Sequence, residues 1–231
     1  QTCGLVLLLP HGYEGQGPDH SSARLERFLQ LAADGNICVT NPTTAAQLFH
    51  LLRRQVHWSI KKPLIVLTPK KYLRGREAYS SAGEFSGGHF REVLDDSGLP
   101  DGAVARRFIL ATGKMALDLM VERDKRGIED IAIVRVEQLY PWPEDQIVDL
   151  LASYENAGEV FWVQEEPENM GAWSFVHSRL HRLLRDDYVL SHVSRSPSGS
   201  PATGSYSLHQ LEHEDLMDRA FAASAGGSAG D

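Results

Sequence analysis

The chain reads as an α/β protein with two parallel sheets, and three observations predict that class. Short apolar runs alternate with stretches whose apolar residues recur at helical spacing. The alternation occurs twice, before and after a stretch over 69–105 rich in Gly, Ser and charge. Polar residues also crowd where the first apolar run ends, which is where open α/β sheets hold ligands.

Residues 5–9 are continuously apolar and predict a buried strand, and Leu25, Phe28, Leu29 and Ala32 follow at i, i+3, i+4, i+7, the stripe of a helix. Residues 37–40 predict a second strand. Ala45, Leu48, Phe49 and Leu52 repeat the helical spacing after Pro42-Thr43-Thr44, a good helix entry. Pro63 opens a third strand over 64–68, so the first part has the order of parallel βαβ units with right-handed crossovers. The signal then weakens through Lys70-Lys71, Gly87-Gly88 and Asp95-Asp96-Ser97-Gly98, which predicts a linker with a few short elements. A second set follows: strands over 107–111, 131–136 and 160–163, alternating with helices over 115–126 and 143–154. Further helices are expected over 172–184 and 208–222, separated by a Ser/Gly/Pro-rich loop over 194–205. The small, polar residues 224–231 predict a disordered tail.

With 231 residues, 42% of them hydrophobic, the chain can build one large or two medium α/β domains without staples. A formal charge of −8 argues against nucleic acid as a partner, because phosphate binding wants a basic face. Cys3 and Cys38 both sit in apolar, strand-like contexts and predict buried free thiols, which suits a reducing cytoplasm or mitochondrial matrix. No apolar run approaches the roughly 18 residues of a membrane span. The apolar strand begins within a few residues of Gln1, so a piece of a longer protein is expected.

Chemistry concentrates in Pro10-His11-Gly12-Tyr13-Glu14-Gly15-Gln16-Gly17-Pro18-Asp19-His20-Ser21-Ser22-Ala23-Arg24. As a dinucleotide fingerprint, Gly15-x-Gly17-x-x-His20 is poor: the third glycine is missing and Pro18 interrupts it. A zinc site from His11, Glu14 and His20 lacks helix-spaced ligands and a cysteine partner. The better reading uses the helix that follows: Asp19, Ser21 or Ser22 caps it, its free N–H groups attract an anion, and His20 donates to a carboxylate or phosphate there.

Taken with Leu51-Leu52-Arg53-Arg54-Gln55, Lys62-Pro63-Leu64-Ile65-Val66, Ile133-Val134-Arg135-Val136-Glu137-Gln138-Leu139-Tyr140-Pro141, Val163-Gln164-Glu165-Glu166-Pro167 and Gly171-Ala172-Trp173, this run resembles the thiamine-diphosphate-dependent first component of 2-oxoglutarate dehydrogenase. The resemblance extends from near Cys3 to about Phe221. It implies the end of a transketolase-like pyrimidine-binding domain over 1–76, a linker over 77–105 and a C-terminal transketolase-like domain over 106–223. The implied activity is oxidative decarboxylation of 2-oxoglutarate and succinylation of a lipoyl carrier in the tricarboxylic acid cycle. The rivals are a 2-oxoadipate dehydrogenase and, for the piece alone, a non-catalytic dimerisation or assembly module.

In the resembling family thiamine diphosphate is held through Mg2+ by a Gly-Asp-Gly…Asn-Asn motif in an earlier domain, and this chain contains neither half, so the piece alone is expected to be inactive. The resemblance implies that His20 faces the substrate, with His11 either lining the same cavity or packing under the glycine turn. Tyr13 and Glu14 are expected to order the loop. Arg53 and Arg54 suit the helix C-terminus, or a regulatory anion such as acetyl-CoA or a nucleotide. Glu137, Glu165 and Glu166 are expected to be solvated or beside a hinge. Trp142, Trp162 and Trp173 are expected in the second core or a subunit interface. The implied partners are a second copy of the chain, the lipoyl-bearing dihydrolipoamide succinyltransferase and dihydrolipoamide dehydrogenase, with no nucleic acid and no membrane.

Overall fold

A computed structural model describes residues 2–99, 104–184 and 187–223, with His20 described by its backbone only. The described residues form an α/β fold of two mixed, mostly parallel sheets. In the first part β1 (Val6–Pro10), α1 (Leu25–Leu31), β2 (Cys38–Thr40), α2 (Ala45–His57) and β3 (Leu64–Thr68) follow one another. Three-residue 3-10 turns at Pro18–His20, Lys71–Leu73 and Arg76–Ala78 and the short α3 (Ala82–Ser86) lie between or after them. Then come β4 (Val93–Leu94), β5 (Arg107–Ala111), α4 (Gly113–Arg126), β6 (Ile131–Val136) and β7 (Gln138–Tyr140). The chain continues through α5 (Glu144–Ser153), β8 (Glu159–Pro167), α6 (Trp173–Leu184), β9 (Val189–Arg195) and α7 (Tyr206–Phe221).

The first sheet has the order β1-β3-β2-β7 and the second β4-β6-β5-β8-β9. Each carries one antiparallel edge strand, β7 against β2 and β4 against β6, and every other pairing is parallel. The two mostly parallel sheets are the ones the sequence predicts, with an antiparallel edge added to each, and β7 matters most. It leaves β6 after one intervening residue and crosses to the other sheet, pairing Tyr140 with Val39. Sequence order therefore does not separate the sheets at residue 76 or 106.

Burial explains which runs became strands. All five residues of β5 are buried, as expected of a strand covered on both faces. Phe108 and Leu110 face one core while Ile109 and Ala111 face the other, under α4 and α7. The first of these cores also takes in Leu25, Leu29, Val39, Ile65 and Leu67, so one apolar cluster is shared by both sheets. A third cluster, of Cys38, Leu51, Leu64, Val66 and Phe90, backs the first sheet under α2. Thr44 caps α2 by accepting from the Gln47 N–H.

The stretch over 77–105 holds α3 and β4, and its buried Asp96 accepts from the Ile133 backbone N–H at 2.8 Å and pairs with Arg123. β9 was not anticipated, because its residues are only partly buried until Val193. β8 runs past residue 163 to Pro167, so Glu165 and Glu166 are on the strand. Cys38 is buried and free, as expected, whereas Cys3 is free but exposed, ahead of β1. The tail expected over 224–231 lies outside the described residues.

Candidate functional site

The polar run after β1 folds back on itself. The His11 N–H donates to the Thr68 carbonyl at 3.3 Å, continuing the β1–β3 ladder by one residue, and the Gly12 N–H donates to the Ser21 carbonyl at 3.0 Å. Inside the loop the Ser21 hydroxyl donates to the Gly17 carbonyl at 2.6 Å. Gly15 has φ 70, and a Cβ there would lie 2.7 Å from the Tyr206 ring, so both conformation and space demand glycine. No Asp or Ser caps α1 as expected: its N-cap is Arg24, in the left-handed region at φ 59, with no side-chain cap. Ser22 Oγ instead accepts from the Arg24 N–H at 3.0 Å. The seven-residue α1 therefore does not offer the anion site read from its sequence.

His11 is buried and holds two partners. Its Nδ1 accepts from the Ala23 N–H at 3.3 Å, which leaves the ring proton on Nε2, facing Glu166 Oε1 at 2.8 Å. Burial alone would lower the His11 pKa, but the hydrogen bond and charge of Glu166, with Glu165 and Glu26 behind it, outweigh that and raise it. Glu165 is buried too and pairs with Lys114 Nζ at 2.6 Å, while the same ammonium meets Asp118 Oδ2 at 2.7 Å. Asp118 Oδ1 accepts from Lys71 Nζ and from the Tyr72 hydroxyl, each at 2.5 Å. Burial works against the Asp118 charge, yet Lys114 and Lys71 hold its carboxyl below the usual carboxylate range.

Lys71, Lys114 and Asp118 of this charged chain line a cavity of about 430 Å³. Tyr13, Glu14 and Gln16 of the loop and His209 and His213 of α7 line it as well. Both histidines are pushed down to about 4 by burial and by the nearby cations Lys114 and Arg195.

Of the solvated or hinge-side reading of Glu137, Glu165 and Glu166, the solvated half is corrected, since all three are buried. Glu137 accepts from the Thr43 N–H at 2.8 Å and from the Thr43 hydroxyl at 2.5 Å. Glu14 orders the loop by accepting from the Lys71 N–H at 2.6 Å. His20 closes the Pro18–His20 turn, and its side chain lies outside the described residues. Among the described residues no group of three His, Cys, Asp or Glu could hold a metal.

Arg53 is exposed, but Arg54 is engaged. The Arg54 guanidinium donates to Glu92 Oε1 at 2.8 Å and to Gln138 Oε1 at 2.7 Å, and stacks 4.3 Å over Phe90. The two are not a matched pair of free cations. Trp162 is fully buried in the core. Trp173 is half-buried and stacks on His192 at 4.2 Å.

Three sequence motifs meet around the base of the loop and the start of α1. Besides Glu166 on His11, Arg24 donates to Met170 Sδ at 3.2 Å and the Gly171 N–H donates to Glu26 Oε2 at 3.1 Å. The Lys114–Asp118 pair was missed in the sequence. Its signal was a lysine just after an apolar strand with a carboxylate four residues on, a spacing that puts both on one helix face.

Residues 1–76 match the family model of the transketolase pyrimidine-binding domain, and residues 79–221 match that of the 2-oxoglutarate dehydrogenase C-terminal region. Similar curated proteins include the 2-oxoglutarate dehydrogenase E1 component of Cupriavidus necator, 46% identical over 96% of this chain and 23% of that protein. The 2-oxoglutarate dehydrogenase E1/E2 component of Corynebacterium glutamicum is 47% identical over 96% of this chain and 18% of its own length. A multifunctional 2-oxoglutarate metabolism enzyme of a Mycobacterium species is 44% identical over the same shares. The chain therefore spans less than a quarter of the length of each of these relatives.

Proposed function

We propose, since this chain belongs to the 2-oxoglutarate dehydrogenase C-terminal family, that it is the C-terminal part of a thiamine-diphosphate-dependent 2-oxoglutarate dehydrogenase first component. On this reading residues 1–76 end the pyrimidine-binding domain, the C-terminal domain follows the 77–105 linker, and the whole enzyme decarboxylates 2-oxoglutarate and succinylates a lipoyl carrier. The observation that carries the proposal is that Glu166 of the 163–167 motif bonds His11 at the base of the loop that bears His20, while Met170 and Gly171 bond Arg24 and Glu26 where α1 begins. A loop so heavily braced suits a group that must be presented to a ligand in one geometry.

On this reading the metal–diphosphate end of thiamine diphosphate is held by the Gly-Asp-Gly…Asn-Asn motif of an earlier domain of the whole enzyme. What this chain supplies is the wall of the site. His20 would bind a carboxylate of the dianionic substrate or move a proton beside it. His11 would act from beneath the loop, because both of its ring nitrogens are already engaged. Arg53, exposed beside His50, His57 and His89, would be the free cation of a regulatory anion site, while Arg54 shapes that site through Glu92 and Gln138.

The partners on this reading are a second copy of the chain, a lipoyl-bearing succinyltransferase and dihydrolipoamide dehydrogenase, in the bacterial cytoplasm or mitochondrial matrix. Among the described residues no helix is long and apolar enough to cross a membrane.

The test is steady-state turnover of the full-length protein, reconstituted with the two partner enzymes, on 2-oxoglutarate and on 2-oxoadipate. The expected outcome is a kcat/KM for 2-oxoglutarate at least about tenfold higher, and His20→Ala cutting turnover about a hundredfold with little change in melting temperature. Preference for 2-oxoadipate would sink the substrate assignment. A His20→Ala protein that melts lower but turns over normally would assign His20 to structure.

A further inference from the structure

The loop over 12–22 is closed at its neck by one side chain. His11, at the β1 end, reaches across to Ala23, where the chain leaves the loop, and its Nδ1 takes the Ala23 N–H. The backbone bond from Gly12 to the Ser21 carbonyl lies just inside the same neck. An imidazole can serve as that acceptor only while Nδ1 is bare, so the ring proton has to sit on Nε2 and needs its own buried acceptor. Glu166 is that acceptor, 2.8 Å away, and it comes from β8 of the other sheet. The groups facing His11 are Glu166 and Glu165 from β8, Glu26 from α1 and the Tyr13 ring.

From this geometry we propose that Glu166 is a positioning residue: acting through His11, it fixes the tautomer that clips the neck of the 12–22 loop, and so sets where His20 stands. The inference rests on the functional reading above for its link to turnover, but the clip itself is a property of this chain. Without the carboxylate the buried Nε2–H has no partner, the ring is free to turn or to move its proton to Nδ1, and the Ala23 N–H loses its acceptor. Glutamine at 166 can still accept from Nε2–H through its amide oxygen, so the conservative change should keep the clip while removing the charge.

Two measurements decide it. Hydrogen exchange on the full-length protein at pH 7.5 compares Glu166→Ala and Glu166→Gln with the wild type over residues 11–23, with β5 as the control for global unfolding. Glu166→Ala should raise exchange in 11–23 about tenfold and leave β5 unchanged, while Glu166→Gln stays within about twofold of wild type. In the full-length protein Glu166→Ala should then lower kcat about tenfold, and Glu166→Gln should restore most of the rate. Unchanged exchange over 11–23 in Glu166→Ala overturns the proposal. So does faster exchange with unchanged kcat, or a Glu166→Gln protein as impaired as Glu166→Ala. A wild-type full-length protein that does not turn over 2-oxoglutarate overturns the functional reading instead, and the exchange result still decides the clip.

Discussion

Asp118 illustrates how one buried carboxylate can hold several elements at once. It sits on α4 and receives Lys114 from one turn earlier, and Lys71 and Tyr72 from the segment after β3. Replacing it by Asn removes the charge that Lys114 and Lys71 pair with and leaves one amide oxygen to accept where the carboxylate had two. Breaking a buried pair in this way costs about 3 kcal/mol, and chemical denaturation of Asp118→Asn should show a loss of that order. The pH dependence has a definite sign. A carboxyl held below its ordinary value contributes stability above about pH 3.8, and that contribution is lost as pH falls further and the unfolded chain takes up the proton first. The acid limb of stability should therefore be shallower in Asp118→Asn, and an unchanged limb would show that the Lys114–Asp118 pair is inert. In the sequence, Asp118 looks like any exposed helical carboxylate, because its partner Lys71 is remote along the chain.

At the scale of elements, the turn from β8 into α6 and the last helix are the most exposed to test. Gln164 clamps that turn: its amide donates to the Met170 carbonyl at 2.9 Å and its Oε1 accepts from the Trp173 N–H at 2.9 Å. Gly171 lies against this clamp at φ 73, where a Cβ would come within 2.8 Å of the Gln164 amide. Gly171→Ala combines left-handed strain with that clash and should cost about 2 kcal/mol, read as a lowered melting temperature. A neutral substitution would mean that the turn relaxes freely.

On α7, His209 and His213 stay neutral down to about pH 4 in the folded chain, under burial and the cations Arg195, Lys114 and Lys71, with Asp118 pulling the other way. The unfolded chain takes up those protons near pH 6.5, so stability falls as pH drops from there toward 4. His209→Gln with His213→Gln should lose less stability between pH 7 and pH 5 than the wild type. An equal loss would place the acid sensitivity elsewhere. The α7 stripe was readable as a helix, but its start at Tyr206 rests on the Ser205 cap, a bond to the Leu208 N–H.

For the whole molecule, the shared core and the crossing of β7 make the two sheets one cooperative unit. Leu67 belongs to the first sheet and is fully buried in the cluster that also holds Phe108, Leu110 and Trp162. Leu67→Ala should cost about 3 kcal/mol and lower both sheets' unfolding together, as followed by hydrogen exchange in β3 and β5. Two separated transitions would show that β7 and the shared core do not couple the sheets.

Sequence alone determined the alternation of strand and helix, because apolar period is set by local geometry: β3, β5 and β6 stand at the residues their apolar runs predict. It also carried the family, through motifs whose residues stand in order along the chain. Tertiary structure alone decided what those motifs do. The carboxylates Glu165 and Glu166 read as surface charges until β8 extends to Pro167 and carries them beneath a loop whose His11 stands 155 positions before Glu166. Arg54 reads as half of a basic pair until Glu92 and Gln138 arrive beside it. β7 was hidden for the same reason: three residues carry too short a pattern to name a sheet, and only the edge of β2 gives them a partner. Local periodicity reports which face of an element is buried, whereas a charge in the core is stable only beside its partner, and partners brought together by folding are not neighbours in the chain.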